Sequence, residues 1–198
     1  YLGTNPRPTD FDAFWANGLA QLDRTPPDVE LIPSKFETSF AECFDLYFTG
    51  VGNARIHAKY VRPKSPTRPH PAILQFHGYA DKIGDWADGP MLGFAAEGFS
   101  YIGMDCRGQG GGSQDNSLVS GNTVRGHIVR GLDDAISGKP ENLLFRNIYL
   151  DTVQVARIAF NMDDVDANRI GAWGGSQGGG LSVVCAALEP RIARIAPS

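Results

Sequence analysis

The chain has 198 residues, 42% of them hydrophobic, which is enough to bury one substantial core. Eighteen Lys and Arg residues against 22 Asp and Glu residues give a formal net charge of −4. There is no basic cluster, and no apolar run approaches the roughly 20 residues that cross a bilayer. We therefore expect neither a nucleic-acid partner nor a membrane anchor, and the polar opening residues predict no signal peptide.

Three cysteines bear on the cellular compartment. Cys43, Cys106 and Cys185 are widely spaced and odd in number, which is typical neither of a zinc site nor of a disulfide framework. Reduced thiols are the simpler interpretation, and they favour a cytoplasmic protein.

The first residues predict a helix that packs on the domain or covers it as a lid. Apolar side chains recur at helical spacing after Asp10, and the helix ends at Pro26-Pro27. These apolar residues are Phe11, Phe14, Trp15, Leu19 and Leu22.

An antiparallel hairpin is predicted next. Apolar and polar residues alternate over 44–48 and again over 56–60, and a Gly-containing turn separates the two runs. In this pattern His57 shares one face with Arg55 and Lys59. We therefore predict that His57 is a solvated strand residue without a catalytic role.

Strands alternate with helices in the rest of the chain. Short apolar runs predict buried strands, and longer runs with helical spacing predict crossover helices. The predicted strands are 72–76, 99–104, 169–173 and 191–196. One predicted helix ends at residue 98, and two others cover 148–161 and 181–188. Residues 114–147 are polar and Gly-rich without a sustained period, which predicts a pocket wall. The pattern indicates one α/β domain over 1–198, with a mostly parallel central sheet flanked by helices and an N-terminal antiparallel hairpin.

The pentapeptide 174–178, Gly-Gly-Ser-Gln-Gly, has the Gly-x-Ser-x-Gly pattern of the nucleophile elbow in α/β-hydrolases. A strand precedes it and a helix follows it, as that turn requires. Gly174 and Gly178 are expected because side chains there would collide with neighbouring backbone. Ser176 is the predicted nucleophile, and the backbone N–H of Gln177 is one predicted donor to the oxyanion.

The turn at the end of the strand 72–76 predicts the second donor. In this fold that donor comes from the loop after the third strand, where the sequence reads His77-Gly78-Tyr79. The backbone N–H of Tyr79 is the predicted group, and an ordinary strand-ending turn is the alternative.

The next strand ends in Arg107-Gly108-Gln109. This glycine-rich turn lacks the lysine of a phosphate-binding loop, so we do not expect it to bind phosphate. Ligands bind outside the carboxyl ends of parallel strands, which places Arg107 and Gln109 near Ser176. An arginine there can hold loop carbonyls or a carboxylate, so a supporting role is predicted for both residues.

The general base is the missing part of the predicted site. His77 and His127 are candidates, but α/β-hydrolases place nucleophile, acid and base in that chain order. All four histidines precede Ser176, and Glu189 is the one acidic residue after it. We therefore expect the triad Asp and His outside these 198 residues, in the same or another polypeptide, and a domain incomplete at its C-terminus.

Taken together, these motifs resemble the acetyl xylan esterase and cephalosporin-C deacetylase family. The resemblance covers all 198 residues and rests on the segments 10–15, 77–79, 107–109, 146–151 and 174–179. It implies a serine carboxylesterase that removes acetyl groups from small acetylated sugars, xylo-oligosaccharides and cephalosporins. It also implies the roles given above for Ser176, Tyr79, Gln177, Arg107 and Gln109. By the same resemblance, no cofactor or metal is needed, the enzyme is cytoplasmic and hexameric, and the family's His-x-Glu segment and catalytic Asp lie beyond the equivalent of residue 198.

Two other functions stay open at this point. A serine peptidase of the prolyl-oligopeptidase type has the same elbow, although such enzymes usually carry an additional domain. A non-catalytic hydrolase-fold module would also lack the base. The backbone strain of an intact elbow, about 1–3 kcal/mol per residue so held, argues for catalysis over the binding module.

Overall fold

A seven-stranded mixed sheet organises the computed structural model, which describes residues 4–65, 67, 69–87 and 89–198. The strands are β1 (Glu30–Pro33), β2 (Ala41–Gly50), β3 (Ala54–Pro63), β4 (His70–Phe76), β5 (Ser100–Met104), β6 (Val165–Gly174) and β7 (Arg194–Pro197). The helices are α1 (Phe11–Asp23), α2 (Met91–Ala96), α3 (Leu132–Ile136), α4 (Leu144–Phe160) and α5 (Gln177–Leu188), with short 3-10 turns at Val51–Asn53 and Pro140–Asn142.

The sheet divides into an antiparallel and a parallel half. Its strand order is β1-β2-β3-β5-β4-β6-β7. β1, β2, β3 and β5 pair antiparallel, whereas β5, β4, β6 and β7 pair parallel. The predicted α/β architecture with an N-terminal hairpin is therefore confirmed, and the hairpin strands extend well beyond their alternating segments. β1 was not predicted, because all four of its residues are exposed and leave no alternating pattern.

Helices α4 and α5 cover one face of the sheet and α2 packs on the other. The largest core lies between the strands and the helices α4 and α5, and it includes Phe76, Ile148 and Leu181. A second core joins α2 to the opposite face. Helix α1 packs on the outer side of α4 through Leu22 and Leu150, which matches the predicted packing helix.

Several predicted boundaries differ from the structure. α4 begins at Leu144 rather than at 148, because Leu144 is itself fully buried in the core. β6 begins at Val165 rather than at 169, and its pairing with β4 shifts register between His70 and Ala72. β7 covers 194–197 instead of 191–196, and all four of its residues are exposed at the edge of the sheet.

Candidate active site

Ser176 lies between β6 and α5 in a backbone conformation that L-residues rarely adopt. Its φ is 54° and its ψ is −119°, and the residue is exposed. Such a conformation costs about 1–3 kcal/mol and persists only where the surroundings enforce it. The Ser176 N–H donates to the carbonyl of Ser198 at 2.7 Å, which ties the elbow to the chain that follows β7.

The two flanking glycines lie where the end of β4 passes against the elbow. A Cβ on Gly178 would lie 2.0 Å from the carbonyl oxygen of Phe76, and a Cβ on Gly174 would lie 2.5 Å from the same atom. No side chain fits at such distances. The close approach therefore requires glycine at both positions, and it brings the loop after β4 beside Ser176.

The loop after β4 carries the predicted oxyanion donor. Among the residues that the structure describes, the backbone N–H groups of Tyr79 and Gln177 have no protein acceptor. The next residue, Ala80, has a φ of +56°, so this loop also holds a strained backbone. Both N–H groups are thus available to a ligand at the carboxyl end of the sheet.

The side chains of Gln109 and Gln177 form a reciprocal amide pair. Gln177 Nε2 donates to Gln109 Oε1 at 2.8 Å, and Gln109 Nε2 donates to Gln177 Oε1 at 3.2 Å. Gln109 also donates to the carbonyl of Gly126 at 3.1 Å, and it is 3% exposed. The turn after β5 is therefore joined directly to the residue after Ser176. Sequence reasoning placed Gln109 near the nucleophile but missed this partner.

Arg107 holds three elements together rather than pointing into the site. Its guanidinium makes a two-pronged ion pair with Asp151 of α4, with Nη2 to Oδ1 at 2.8 Å, and both side chains are 1% exposed. The same Nη2 donates to the carbonyl of Val51 in the hairpin turn at 2.8 Å. Burial raises the pKa of the Asp151 carboxyl, and the adjacent Arg107 opposes this effect. Asp151, the last residue of the segment 146–151, is therefore the buried ion-pair partner of Arg107.

The family model for acetyl xylan esterase (AXE1) matches residues 1–198. The chain belongs to this family. An acetyl esterase, Axe7A, from Xylanibacter ruminicola is 29% identical over 194 residues, which cover 93% of this chain and 42% of that protein.

Two solved structures extend the comparison. Acetyl Xylan Esterase 1 from a Thermoanaerobacterium species superposes with a TM-score of 0.91 at 54% identity, covering 98% of this chain and 59% of that one. An acetyl xylan esterase from a Paenibacillus species gives a TM-score of 0.89 at 28% identity, covering 98% of this chain and 60% of that one. The chain thus spans between two fifths and three fifths of the length of these relatives.

His57 in this acetyl xylan esterase family member is buried, so the prediction of a solvated strand residue is wrong. The residue is 7% exposed, with Nδ1 2.7 Å from Asp105 Oδ2 and Nε2 2.9 Å from Asp45 Oδ1. Alternation assigned it to an outward face, but the turn after β5 covers that face. Burial alone would lower the pKa of His57, but the hydrogen bonds to Asp105 and Asp45 outweigh it and raise the pKa.

His77 has both ring nitrogens engaged. Nδ1 donates to the carbonyl of Gly78 at 2.7 Å, and Nε2 accepts the N–H of Cys106 at 2.8 Å. The ring therefore links the ends of β4 and β5, and its geometry leaves no nitrogen to accept a proton from Ser176.

The segment 114–147, predicted as a pocket wall, is ordered by a buried ion pair. Asp115 lies 3.1 Å from Arg130 and accepts the N–H of Gly126 at 2.9 Å. Gly126 in turn packs on Gly108, since a Cβ on Gly126 would lie 2.1 Å from the carbonyl oxygen of Gly108. The segment therefore packs against the turn that carries Gln109.

His127 of this segment lies beside Tyr79. The two rings meet edge to face with centroids 6.4 Å apart, and Nδ1 accepts the N–H of Val129 at 3.3 Å. His70 lies at the other end of β4, away from the elbow. In the described part of the chain, none of the four histidines hydrogen-bonds to the Ser176 hydroxyl.

The structure offers no metal centre of the usual kind in residues 4–65, 67, 69–87 and 89–198. No group of three or more His, Cys, Asp or Glu side chains there is arranged to hold an ion. Across the same ranges, no helix has both the length and the apolar character needed to cross a membrane.

Proposed function

We propose that this chain carries the nucleophile and oxyanion donors of a serine carboxylesterase that removes acetyl groups from small acetylated carbohydrates. The observation that supports this most directly is Ser176, which is strained and exposed near two backbone N–H groups that have no acceptor among the described residues. Membership in the acetyl xylan esterase family favours xylo-oligosaccharides as substrates. Cephalosporin-type acetyl esters are proposed as further substrates, on the family resemblance alone.

In the proposed reaction, Ser176 Oγ attacks the acetyl carbonyl carbon while a histidine outside residues 1–198 takes the hydroxyl proton. The N–H groups of Tyr79 and Gln177 stabilise the negative charge that develops on the carbonyl oxygen. The C–O bond to the sugar then breaks, and the histidine returns its proton to the departing alcohol. Water attacks the acetyl-serine by the same steps and releases acetate, so no cofactor is consumed.

Gln109 and Arg107 have supporting roles in this proposal. The amide pair orients Gln177, whose N–H is one of the two oxyanion donors. Arg107 braces the turn that holds Gln109 against α4 and the hairpin. Because donors must lie about 2.7–3.1 Å from the oxyanion, this bracing matters more to the transition state than to substrate binding.

The decisive variant is Ser176→Ala in the whole protein. We expect kcat/KM for an aryl acetate and for an acetylated xylo-oligosaccharide to fall by several powers of ten. A serine-directed phosphonate should label wild-type Ser176 and leave the variant unlabelled. His127→Ala serves as the matched control, and it should retain most of the activity. A folded Ser176→Ala protein with an unchanged rate would refute the assignment.

A substrate series separates the remaining functions. We expect acetyl esters to be hydrolysed faster than butyryl or octanoyl esters, as the resemblance implies. Equal kcat/KM values across these acyl groups would contradict that expectation. A preference for a peptidyl anilide would favour the peptidase, and no phosphonate labelling of the whole protein would favour a binding module.

Assembly and compartment complete the proposal. We propose a hexamer of the whole protein, on the family resemblance, and light scattering on a size-exclusion column would test it. The three cysteines are free and buried, which supports the proposed cytoplasmic location.

A further inference from the structure

Asp105 follows β5 directly and is 2% exposed. Its buried carboxylate accepts three hydrogen bonds. Oδ1 accepts the N–H of Ile83 at 2.8 Å. Oδ2 accepts the N–H of Gly112 at 2.9 Å and faces Nδ1 of His57 at 2.7 Å. A buried carboxylate with this many donors is an anchor for the groups around it.

The two backbone donors belong to the two loops that flank Ser176. Ile83 lies in the loop that begins at His77 and carries the Tyr79 N–H. Gly112 lies in the turn that carries Gln109, the partner of Gln177. One carboxylate therefore holds the loop of an oxyanion donor and the turn that orients the other donor.

His57, on β3 of the hairpin, holds the Asp105 carboxylate in place. Its Nε2 contacts Asp45 of β2, so the ring is held between two carboxylates on different elements. Its backbone N–H donates to Ser113 Oγ at 2.9 Å, and Ser113 Oγ–H donates to the Asp105 carbonyl at 2.6 Å. A Cβ on Gly112 would lie 2.9 Å from His57 Cγ, so the turn packs directly on the ring. The hairpin thus supports both loops through His57.

We propose that Asp105 is a positioning residue for the acetyl transfer, and that His57 holds its carboxylate in place. The inference rests on the proposed function, because it concerns the same oxyanion donors. Asp105 acts through Ile83 and Gly112 rather than on the substrate. A small displacement of either loop weakens the hydrogen bonds that are strongest in the transition state, so kcat falls while KM changes little.

The test compares four variants of the whole protein. Asp105→Asn places an amide N–H among three donors, so at least one of them loses its acceptor, and we expect kcat to fall about 10- to 100-fold with KM within about twofold. His57→Leu should give a similar loss. His57→Asn keeps a side-chain donor toward Asp105, and it should recover most of kcat.

Tyr60→Phe is the matched control. Tyr60 lies on the same strand as His57, is 1% exposed and hydrogen-bonds to Asp164 at the other end of the sheet. Loss of the Tyr60 hydroxyl and its hydrogen bond should lower the stability of the protein and leave kcat unchanged. Amide hydrogen exchange supplies a readout without activity, since Asp105→Asn should speed exchange over 77–84 and 107–113 and Tyr60→Phe should not.

Three outcomes would overturn the proposal. The first is wild-type kcat in folded Asp105→Asn and His57→Leu proteins. The second is an equal loss of kcat in Tyr60→Phe, which would indicate general destabilisation. The third is unchanged exchange in both loops. If Ser176→Ala keeps the wild-type rate, the proposed function fails instead, and the exchange measurement still decides whether Asp105 holds the loops.

Discussion

At the residue scale, two glycines of the elbow are required by a close approach of backbones, and a nearby glycine is not. Gly178 and Gly174 meet the carbonyl oxygen of Phe76, whereas a Cβ on Gly180 has nothing within 4 Å. All three lie within one short segment, but only the first two lie against β4. The contrast makes Gly180 a control for substitutions in the elbow.

We predict opposite effects for alanine at these positions. Gly178→Ala should destabilise the fold by about 1–3 kcal/mol or more, because β4 or the elbow must move to admit the methyl group. Gly180→Ala should stabilise it by about 0.5–1 kcal/mol, because it adds a better helix former inside α5. Denaturant unfolding measures both values. Equal effects of the two substitutions would contradict the packing argument.

His57 predicts a pH dependence of stability. Its pKa in the folded state is raised, chiefly by Asp105 and Asp45 against the effect of burial, and the Tyr47 ring packs on it. The stabilisation is therefore fully present below the unfolded-state pKa of about 6.5, and it is lost as pH rises through the higher folded-state value. The neutral ring can then donate to only one carboxylate.

Unfolding free energies at a series of pH values from weakly acidic to weakly basic test this prediction. The advantage of the wild type over His57→Asn should shrink as the pH rises. Asp105 contributes with the opposite sign, since its pKa is lowered by the hydrogen bonds from His57, Ile83 and Gly112, which outweigh burial. Its stabilisation is present above the ordinary carboxyl pKa and is lost as the pH falls through the folded-state value. A pH-independent difference between wild type and His57→Asn would contradict the paired-carboxylate arrangement.

At the scale of elements, the turn after β5 connects the elements that surround the candidate active site. Arg107 joins it to α4 and to the hairpin turn, Gln109 joins it to α5, and Asp105 joins it to the loop after β4. Each of these contacts crosses from one element to another. The orientation of the elbow therefore depends on elements that do not contain Ser176.

A double-mutant cycle tests the link between the turn and α5. Gln109→Ala and Gln177→Ala should each lower kcat/KM, and the double variant should be little worse than either single one. We expect a coupling energy of about 0.5–3 kcal/mol, as for residues in direct contact. Gln109→Ala combined with Tyr60→Phe is the control pair, and its effects should add. Additive effects in the glutamine pair would mean that the amide contact has no influence on catalysis.

At the scale of the whole molecule, the edge of the sheet at β7 is exposed, together with a groove on the adjoining part of one face. β7 is exposed along its length, and an apolar groove beside it is lined by Ile73, Trp173 and Ile195, among others. Exposed apolar strand edges promote aggregation, and natural sheets usually cover them. The relatives are longer than this chain, and the catalytic histidine is proposed to lie outside it.

We therefore predict that residues 1–198 expressed alone are poorly soluble and nearly inactive. The oxyanion donors and binding by themselves would leave a rate roughly 10³–10⁴-fold above water. The measurement is esterase activity of residues 1–198 before and after a separately expressed C-terminal portion is added, and activity should rise on mixing. A soluble, monomeric and fully active 1–198 chain would show that one of its own histidines is the base.

The fold and the elbow could be predicted from the sequence because their signals are local. A strand, a Gly-x-Ser-x-Gly turn and a helix occupy 20 or so consecutive residues, and alternation over two short runs is sufficient for a hairpin. The strained turn at Ser176 belongs to that segment, whereas the need for Gly178 comes from the approach of Phe76 at the end of β4. The expected positions of Arg107 and Gln109 follow from a general rule about the carboxyl ends of parallel strands, and that of Tyr79 from the usual place of the second oxyanion donor in this fold.

The partners of those side chains were decided by the tertiary structure. Gln109 and Gln177 are 68 residues apart, His57 and Asp105 are 48 apart, and Arg107 and Asp151 are 44 apart. The alternation of residues in one strand does not show which distant loop will cover that strand. For this reason the alternation predicted a solvated His57, although the turn after β5 covers it. The sequence by itself indicated which groups are candidates for the reaction, because the elbow motif is local, whereas packing between distant elements decided which groups hold them in position.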